Sequence, residues 1–291
     1  MLNAIKKSLL IMLFVAIINN NDIFAKVFDI DMIKDVKIVS TYTKDTLIDE
    51  IDSVRFGLYP QSDTNGEEKD PIEWIVLHVS EDKKEALLLS KYILDNKSYY
   101  HYWTDVVWFE SDLRKWLNED FYNSAFSYKD KERILLKDIK NNTDNSFGIN
   151  GGQDSKDKLF CLSELECYEY FALDKEESKT LATNATQFAK NIDNNGERLN
   201  IGGGSRIYTD ETRYAYPKAQ KIIDIASRFL SDITGGDWCK KNSDYWLRTP
   251  GTSASNNTDY VMVVRNFGLI DDAQVHDKSV GVRPAMWISI E

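Results

Sequence analysis

The runs Tyr260-Val-Met-Val-Val-Arg265 and Gly268-Leu-Ile-Asp-Asp-Ala-Gln-Val275 lie near the C-terminus and flank a short break at Asn266-Phe267. β-Branched residues favour strands, and Asn and Gly between two such runs favour a turn that pairs them. Residues 245–248 and 280–288 add two more strand-like runs. The C-terminal third is therefore predicted to form mainly paired β-strands.

The preceding part of the chain mixes strands with helices. Apolar runs at residues 72–77 and 85–90, separated by the polar residues 80–84, predict a β-hairpin. Ser111 is a suitable N-cap, and after it comes an apolar stripe at helical spacing: Leu113, Trp116, Leu117, Phe121 and Ala125. We therefore expect an α+β fold of mixed antiparallel sheets with a few helices.

A second helix is expected to begin after Ser163. Ser163-Glu-Leu-Glu166 has the Ser-x-x-Glu pattern of a capping box and follows a strand-like run at residues 158–162. Leu165, Tyr168 and Phe171 are expected to form the buried side of this helix.

The N-terminus has the pattern of a signal peptide. Lys6 and Lys7 precede the apolar residues 9–18, a run that as a helix rises only about 15 Å, roughly half the hydrocarbon core of a bilayer. We predict cleavage after Ala25, so residues 1–25 are removed, with export to the periplasm or the cell exterior and no membrane insertion afterwards. An uncleaved N-terminal anchor is the alternative. Residues 26–52 are charged and predict a linker or an edge strand, followed by a single α+β domain at 53–291.

Composition and charge exclude some classes of partner. The formal net charge is -11, and a negative field disfavours nucleic acid and anionic membrane surfaces. The three cysteines, Cys161, Cys167 and Cys239, are too few for a disulfide scaffold. They allow one bridge, joining Cys239 to one of the others, or burial as small apolar side chains.

Strong catalytic motifs do not occur in the sequence: there is no His-Glu-x-x-His, no Gly-x-Ser-x-Gly and no phosphate-binding glycine loop. Hydrolysis by a pair of Asp or Glu side chains needs only the right separation in space, so it stays open.

Six segments of the sequence resemble a bacterial family catalogued as domain of unknown function 6273. The segments are Phe56-Gly-Leu-Tyr-Pro-Gln61, Glu73-Trp-Ile-Val-Leu77, Leu88-Leu-Ser-Lys-Tyr92, Ser111-x-Leu-Arg-x-Trp-Leu-Asn118, Tyr245-Trp-Leu-Arg-Thr-Pro-Gly251 and Gly281-Val-Arg-Pro-Ala-Met-Trp-Ile288. The resemblance implies a domain that begins near residue 53. Its family has no established activity, so the resemblance implies little chemistry.

A more distant likeness is to the C-type-lectin-like fold, in particular its formylglycine-generating-enzyme branch. This likeness implies a ligand site in the loops near 245–257 and 266–276, for which we select Tyr245, Trp246, Arg248, Asn266 and His276. The catalytic thiol pair of that branch has no match here. In lectin-like folds calcium is held by side-chain oxygens, so a calcium site at Asp271 and Asp272 is one hypothesis and a solvated acidic face the other.

Two other segments and two arginines have two possible interpretations each. Tyr99-Tyr-His-Tyr-Trp103 is either an aromatic surface suited to sugar rings or a buried approach to the helix at Ser111. The polar segment 141–157 has a calcium-like composition and is otherwise a plain polar loop. Arg248 and Arg283 either hold the domain together or contact a ligand.

Three functions remain from these observations. The first is an exported, non-enzymatic binding domain for a glycan, a surface polymer or a protein surface. It is expected to have no nucleic-acid partner, and calcium is the one cofactor considered for it. The second is an extracellular hydrolase that uses Asp and Glu. The third is a structural or interaction domain without a small ligand.

Overall fold

The computed structural model describes residues 27–29, 53–141, 148–171, 181–190, 242–251, 258–266 and 268–290. Within these residues it contains strands β1 (Val27–Asp29), β2 (Ser53–Tyr59), β3 (Asp70–Val79), β4 (Glu85–Ser90), β5 (Asp95–Asn96), β6 (Lys137–Ile139), β7 (Ser155–Asp157), β8 (Tyr245–Pro250), β9 (Tyr260–Val264), β10 (Ile270–Gln274), β11 (Gly281–Val282) and β12 (Ala285–Ser289). The helices are α1 (Asp112–Trp116), α2 (Tyr122–Ala125), α3 (Tyr128–Arg133) and α4 (Glu164–Phe171), with a π-helical turn at Leu117–Phe121 and a 3-10 turn at Trp108–Glu110.

The first sheet has the strand order β1-β2-β3-β4-β12 and is antiparallel except for the parallel pair β1–β2. The expected hairpin is confirmed, because β3 and β4 pair across the residues 80–84. Apolar residues of β3 and β4 are buried almost completely, as in Trp74 and Leu88. The sheet therefore supplies a large part of the core.

The second sheet has the order β10-β9-β8-β11-β5. Strands β9 and β10 pair with Ile270 opposite Val264, as expected from the Asn-Phe-Gly turn. Gly268 has a φ of 90°, in the left-handed region that glycine adopts at little cost. The predictions of strands in the C-terminal third and of an α+β fold with mixed antiparallel sheets are confirmed.

The segment from β11 to β12 carries the chain from the second sheet to the first. Between them the Arg283 side chain donates hydrogen bonds to the carbonyl of Ser90 at 2.9 Å, to the carbonyl of Leu181 at 3.1 Å and to the hydroxyl of Tyr245 at 3.0 Å. Arg283 is buried, so this guanidinium ties both sheets and the segment at Leu181 together. Its role in the fold is structural.

The helix expected after Ser111 forms, with a π-helical turn in its middle. The Ser111 hydroxyl accepts a hydrogen bond from the Arg114 backbone, as expected for an N-cap. Buried residues of the predicted stripe are Leu113, Leu117, Phe121 and Ala125, while Trp116 is half-buried against the core.

The capping box of α4 is confirmed, and so is the burial of Phe171, but the predicted burial of Leu165 and Tyr168 is wrong. The Ser163 backbone donates to a Glu166 carboxylate oxygen at 2.8 Å, and the Glu166 backbone donates to the Ser163 hydroxyl at 3.1 Å. Leu165 and Tyr168 are 45% and 43% exposed, whereas Glu164, Cys167 and Phe171 are buried. The helix is turned because the Glu164 backbone is fixed to the Thr249 hydroxyl at 2.9 Å.

Several expected features differ or lie outside the described residues. Residues 158–162 form only an isolated bridge from Phe160 to Ala285, and the polar segment 141–157 includes strand β7, paired with β6. The predicted signal peptide and Cys239 lie outside the described residues. Among the described helices none has the length and apolar character to cross a membrane.

Candidate ligand-binding site

Two of the selected site residues, Tyr245 and Trp246, lie in the interior. The Tyr245 hydroxyl donates to the Leu181 carbonyl at 2.9 Å, and the Trp246 indole nitrogen donates to the Lys97 carbonyl at 2.7 Å. The Trp246 ring contacts the Tyr99 ring, with 5.7 Å between centroids. In this structure both side chains serve the core and present no surface to a ligand.

Arg248 is also buried, in an ion pair with Glu166. Its terminal nitrogens lie 2.5 Å and 2.8 Å from the two Glu166 carboxylate oxygens, and they also donate to the carbonyls of Cys161 and Lys140. Burial by itself lowers the pKa of Arg248, but the adjacent Glu166 carboxylate more than offsets this and raises it. The paired, permanently charged guanidinium joins β8 to the start of α4.

Both acidic residues that we considered for calcium contact the guanidinium of Arg265, Asp271 through its carboxylate and Asp272 through its backbone carbonyl. The Arg265 side chain lies 2.9 Å from carboxylate oxygens of both Asp244 and Asp271, and it donates to the Asp272 backbone carbonyl. The other Asp244 oxygen accepts from the Asn266 backbone at 2.7 Å. A cation at Asp271 would therefore have to compete with Arg265, and no group of three or more metal-binding side chains is found in the described parts of the chain.

Burial raises the pKa of Asp244, and Arg265 and the Asn266 amide only partly reverse this. A raised carboxyl pKa is one mark of a catalytic acid. Here, however, both Asp244 oxygens are engaged by protein donors and the residue is 2% exposed, so the carboxyl group is enclosed in the second sheet.

His276 is the one selected residue that lies beside an exposed aromatic surface. The Trp103 and His276 rings are nearly parallel, with 28° between planes and 6.1 Å between centroids. Tyr102 and Trp103 are 66% and 63% exposed, and His101 is exposed as well. We call the residues His101, Tyr102, Trp103, Asp259 and His276 the Trp103 patch.

The start of the aromatic segment is fixed in the core. Tyr99 is fully buried, and its carbonyl accepts a hydrogen bond from the Leu113 backbone at 3.1 Å. The Tyr100 backbone donates to the carbonyl of Val275 at 2.8 Å, next to His276. Both interpretations of this segment are therefore partly correct: it begins as a buried approach to the helix and ends as an exposed surface.

The exposed part of the segment is held by two carboxylates. Asp112 accepts hydrogen bonds from the His101 backbone, at 3.0 Å, and from the His101 ring. Asp259 accepts from the Trp103 indole nitrogen at 2.9 Å. The His101 and Trp103 rings are thus each held in place by a carboxylate.

Two polar atoms of the Trp103 patch have no hydrogen-bond partner within the described chain. They are Asp259 Oδ1 and His276 Nδ1, and both are shielded from solvent. Unpaired buried polar atoms are uncommon, and each calls for a partner such as a water or a ligand group. This feature and the role of Asp259 had no signal in the sequence, because an isolated Asp before a strand carries no motif.

A groove of about 360 Å³ lies elsewhere on the surface, lined by Asp70, Glu73, Tyr92, Asn184 and Thr186 among others. It is near the lower size limit of small-ligand sites. Its one aromatic residue, Tyr92, is only partly exposed. The Trp103 patch offers two largely exposed rings and is the stronger candidate.

The remaining sequence candidates have structural roles. In the polar segment 141–157, Asp154 pairs with Lys140, and Asp157 is buried between Arg114 and the Trp108 indole. Cys161 and Cys167 are buried free thiols. The loop 252–257, part of the expected ligand region, lies outside the described residues.

Comparison with known proteins gives a family but no characterised relative. The family model described as domain of unknown function (DUF6273) matches residues 83–290. No curated protein and no solved structure matches the chain. The likeness to C-type-lectin-like folds therefore stays a prediction. Because the matched residues make up well over half of the sequence, the chain belongs to the DUF6273 family.

Proposed function

We propose that the protein is an exported binding domain that holds a glycan or a surface polymer against the Trp103 patch. The observation that carries this proposal is the pair of adjacent exposed rings, Tyr102 and Trp103, on a segment anchored in the core. Export is supported by the signal-like pattern of residues 1–25.

Exposed aromatic side chains have a cost that a binding role explains. Large aromatic rings bury much of their surface in most folded proteins, and contiguous exposed apolar surface marks interaction sites. Trp and Tyr have few rotatable bonds, so they supply a large contact area at a low cost in conformational entropy. The ring faces of Tyr102 and Trp103 suit the flat C–H faces of pyranose rings.

Polar groups beside the rings supply the other half of such a site. Asp105, two positions after Trp103, is exposed and accepts a hydrogen bond from the Thr258 backbone at 2.7 Å. Asp259 and His276 contact the indole of Trp103. A ligand that stacks on the rings therefore meets hydrogen-bonding groups at their edge. Ligand sites commonly combine an apolar surface with a few placed polar groups.

The proposal is tested by co-sedimentation with insoluble polysaccharides. Mature protein is mixed with cellulose, chitin, mannan and purified peptidoglycan, and the bound fraction is compared for wild type, Trp103→Ala and Tyr128→Ala. Tyr128 is 80% exposed and belongs to α3, so it controls for the loss of any exposed ring. We expect at least one polymer to retain wild type and Tyr128→Ala but not Trp103→Ala. Equal retention of all three proteins, or retention of none, would reject the proposal.

A further inference from the structure

The Trp103 patch is surrounded by negative charge. Asp105, Asp112 and Asp259 all contact residues of the aromatic segment or the strand end beside it. Their hydrogen-bond donors are backbone amides, an indole and an imidazole, and none of these neutralises a carboxylate unless the imidazole of His101 is protonated. Among the described residues no Lys or Arg forms an ion pair with any of the three, in contrast to Asp271 or Glu166.

Resting on the proposed function, we infer that the Trp103 patch selects uncharged, hydroxyl-rich saccharides and rejects anionic polymers, and that Asp105 and Asp259 determine this selectivity. A uronate, sulfate or phosphate group stacked beside Trp103 would come close to two or three uncompensated carboxylates, and like charges at such distances repel. A neutral sugar pays no such cost, and its hydroxyl groups can donate to the same carboxylates.

The unpaired atoms beside the indole argue against an apolar ligand. Asp259 Oδ1 needs a donor, and His276 Nδ1 accepts or donates according to its tautomer. A lipid or an apolar peptide would leave both unsatisfied. Sugar hydroxyls both donate and accept, so they match the hydrogen-bonding needs of both atoms.

The same contacts argue for recognition without a cation. Asp259 holds the indole, Asp112 holds His101 and Asp105 holds the Thr258 backbone, so each carboxylate already has a defined structural partner. One oxygen of each carboxylate is thus held by a donor, and no group of three or more metal-binding side chains is found in the described part of the chain. We therefore expect saccharide binding to be the same in calcium and in excess chelator.

The experiment compares polymers that differ in charge alone. Hydroxyethyl-cellulose is paired with carboxymethyl-cellulose, and methyl-esterified polygalacturonate with free polygalacturonate; neutral hexasaccharides of glucose, N-acetylglucosamine, mannose and xylose complete the set. Affinities are measured by titration calorimetry for wild type, Trp103→Ala and the double variant Asp105→Asn, Asp259→Asn. Each Asn keeps a carbonyl oxygen for the hydrogen bond that the Asp made, so the double variant mainly removes charge.

The inference predicts Trp103-dependent binding of a neutral ligand, with its charged counterpart at least about tenfold weaker in wild type. In the double variant, or in high salt, the ratio of neutral-ligand affinity to charged-ligand affinity falls at least about fivefold. Trp103-dependent binding of anionic polymers as strong as that of neutral ones would overturn the inference and leave the proposed function standing. Absence of binding throughout, or binding that Trp103→Ala does not weaken, would overturn both.

Discussion

The Trp103 indole and the His276 imidazole lie nearly parallel, 6.1 Å apart between centroids, although 173 positions separate them in the sequence. The contact joins the aromatic segment before α1 to the end of β10. His276, a candidate from the C-terminal strands, therefore lies beside the segment 99–103, which is a separate candidate because of its aromatic composition. Each prediction below tests a contact that builds this surface or the domain beneath it.

Asp112 is a positioning residue for the Trp103 patch. We expect Asp112→Ala to weaken saccharide binding about fivefold. The reason is that the variant removes the acceptor for two hydrogen bonds, one from the His101 ring and one from the His101 backbone. The loss of an acidic side chain from the first turn of α1 should lower the free energy of unfolding by less than about 1 kcal/mol. Titration calorimetry and urea unfolding measure the two effects. Glu119→Ala, at an exposed acid in the π-helical turn, is the control and should change neither. If both variants behave alike, Asp112 does not position the patch.

Removing one partner of the Glu166–Arg248 ion pair is expected to destabilise the fold strongly. Glu166→Ala leaves a buried guanidinium without its carboxylate and should cost about 3 kcal/mol. Ser163→Ala removes only the cap of α4 and should cost about 1 kcal/mol. Urea unfolding of both variants separates the ion pair from the capping box. Equal losses would mean that the ion pair adds nothing beyond the cap.

The buried thiols make stability depend on alkaline pH. Burial raises the pKa of Cys161 from 9.0 to about 12 and raises that of Cys167 as well. The folded state therefore holds these protons more tightly than the unfolded state. Their contribution is complete below pH 9 and is lost as the pH rises from 9 towards 12. We expect Tm to fall over this window, and to fall less in Cys161→Ala.

The same burial predicts that the two thiols are unreactive in the folded protein. Iodoacetamide at pH 8 should leave the peptides that contain Cys161 and Cys167 unlabelled, and labelling should follow unfolding in urea. Mass spectrometry of these peptides excludes any contribution from Cys239. Rapid labelling of the native protein would contradict the buried positions.

Gly57 is expected to tolerate no side chain. Its φ is +72°, and a Cβ there would lie 2.6 Å from the Phe126 ring and 2.9 Å from the Ala125 carbonyl. Backbone strain and overpacking together should cost Gly57→Ala about 3 kcal/mol. Gly148, with a φ of +65° and open space around it, is the matched control. Gly148→Ala should cost only the strain, about 1 kcal/mol. Comparable losses in the two variants would show that packing against Phe126 is not the cause.

The sequence allowed the fold class and most elements to be predicted, because their signals are local. The cap at Ser111, the capping box at Ser163 and the Asn-Phe-Gly turn each depend on residues within a few positions of one another. The buried side of α4, by contrast, does not depend on nearby residues alone. It is decided by a hydrogen bond from the Glu164 backbone to Thr249, which is distant in sequence.

The candidate site was only partly predictable for the same reason. Aromatic composition identified the segment 99–103, but composition cannot tell which rings are buried. Tyr99 is buried and Trp103 is exposed because the Leu113 backbone fixes the first and Asp259 holds the second at the surface. Tyr245, Trp246 and Arg248 lie in one of the segments that carry the family resemblance, and all three side chains are buried in the core.

The most direct test of the proposed function is the affinity of the Trp103 patch for its tightest neutral hexasaccharide, measured by titration calorimetry. Wild type, Trp103→Ala and Tyr128→Ala are compared, with circular dichroism to verify that each is folded. The exposed position of Trp103 predicts that its removal weakens binding at least about tenfold and leaves Tm nearly unchanged, while Tyr128→Ala binds as wild type does. Undiminished binding by a folded Trp103→Ala variant would contradict the account.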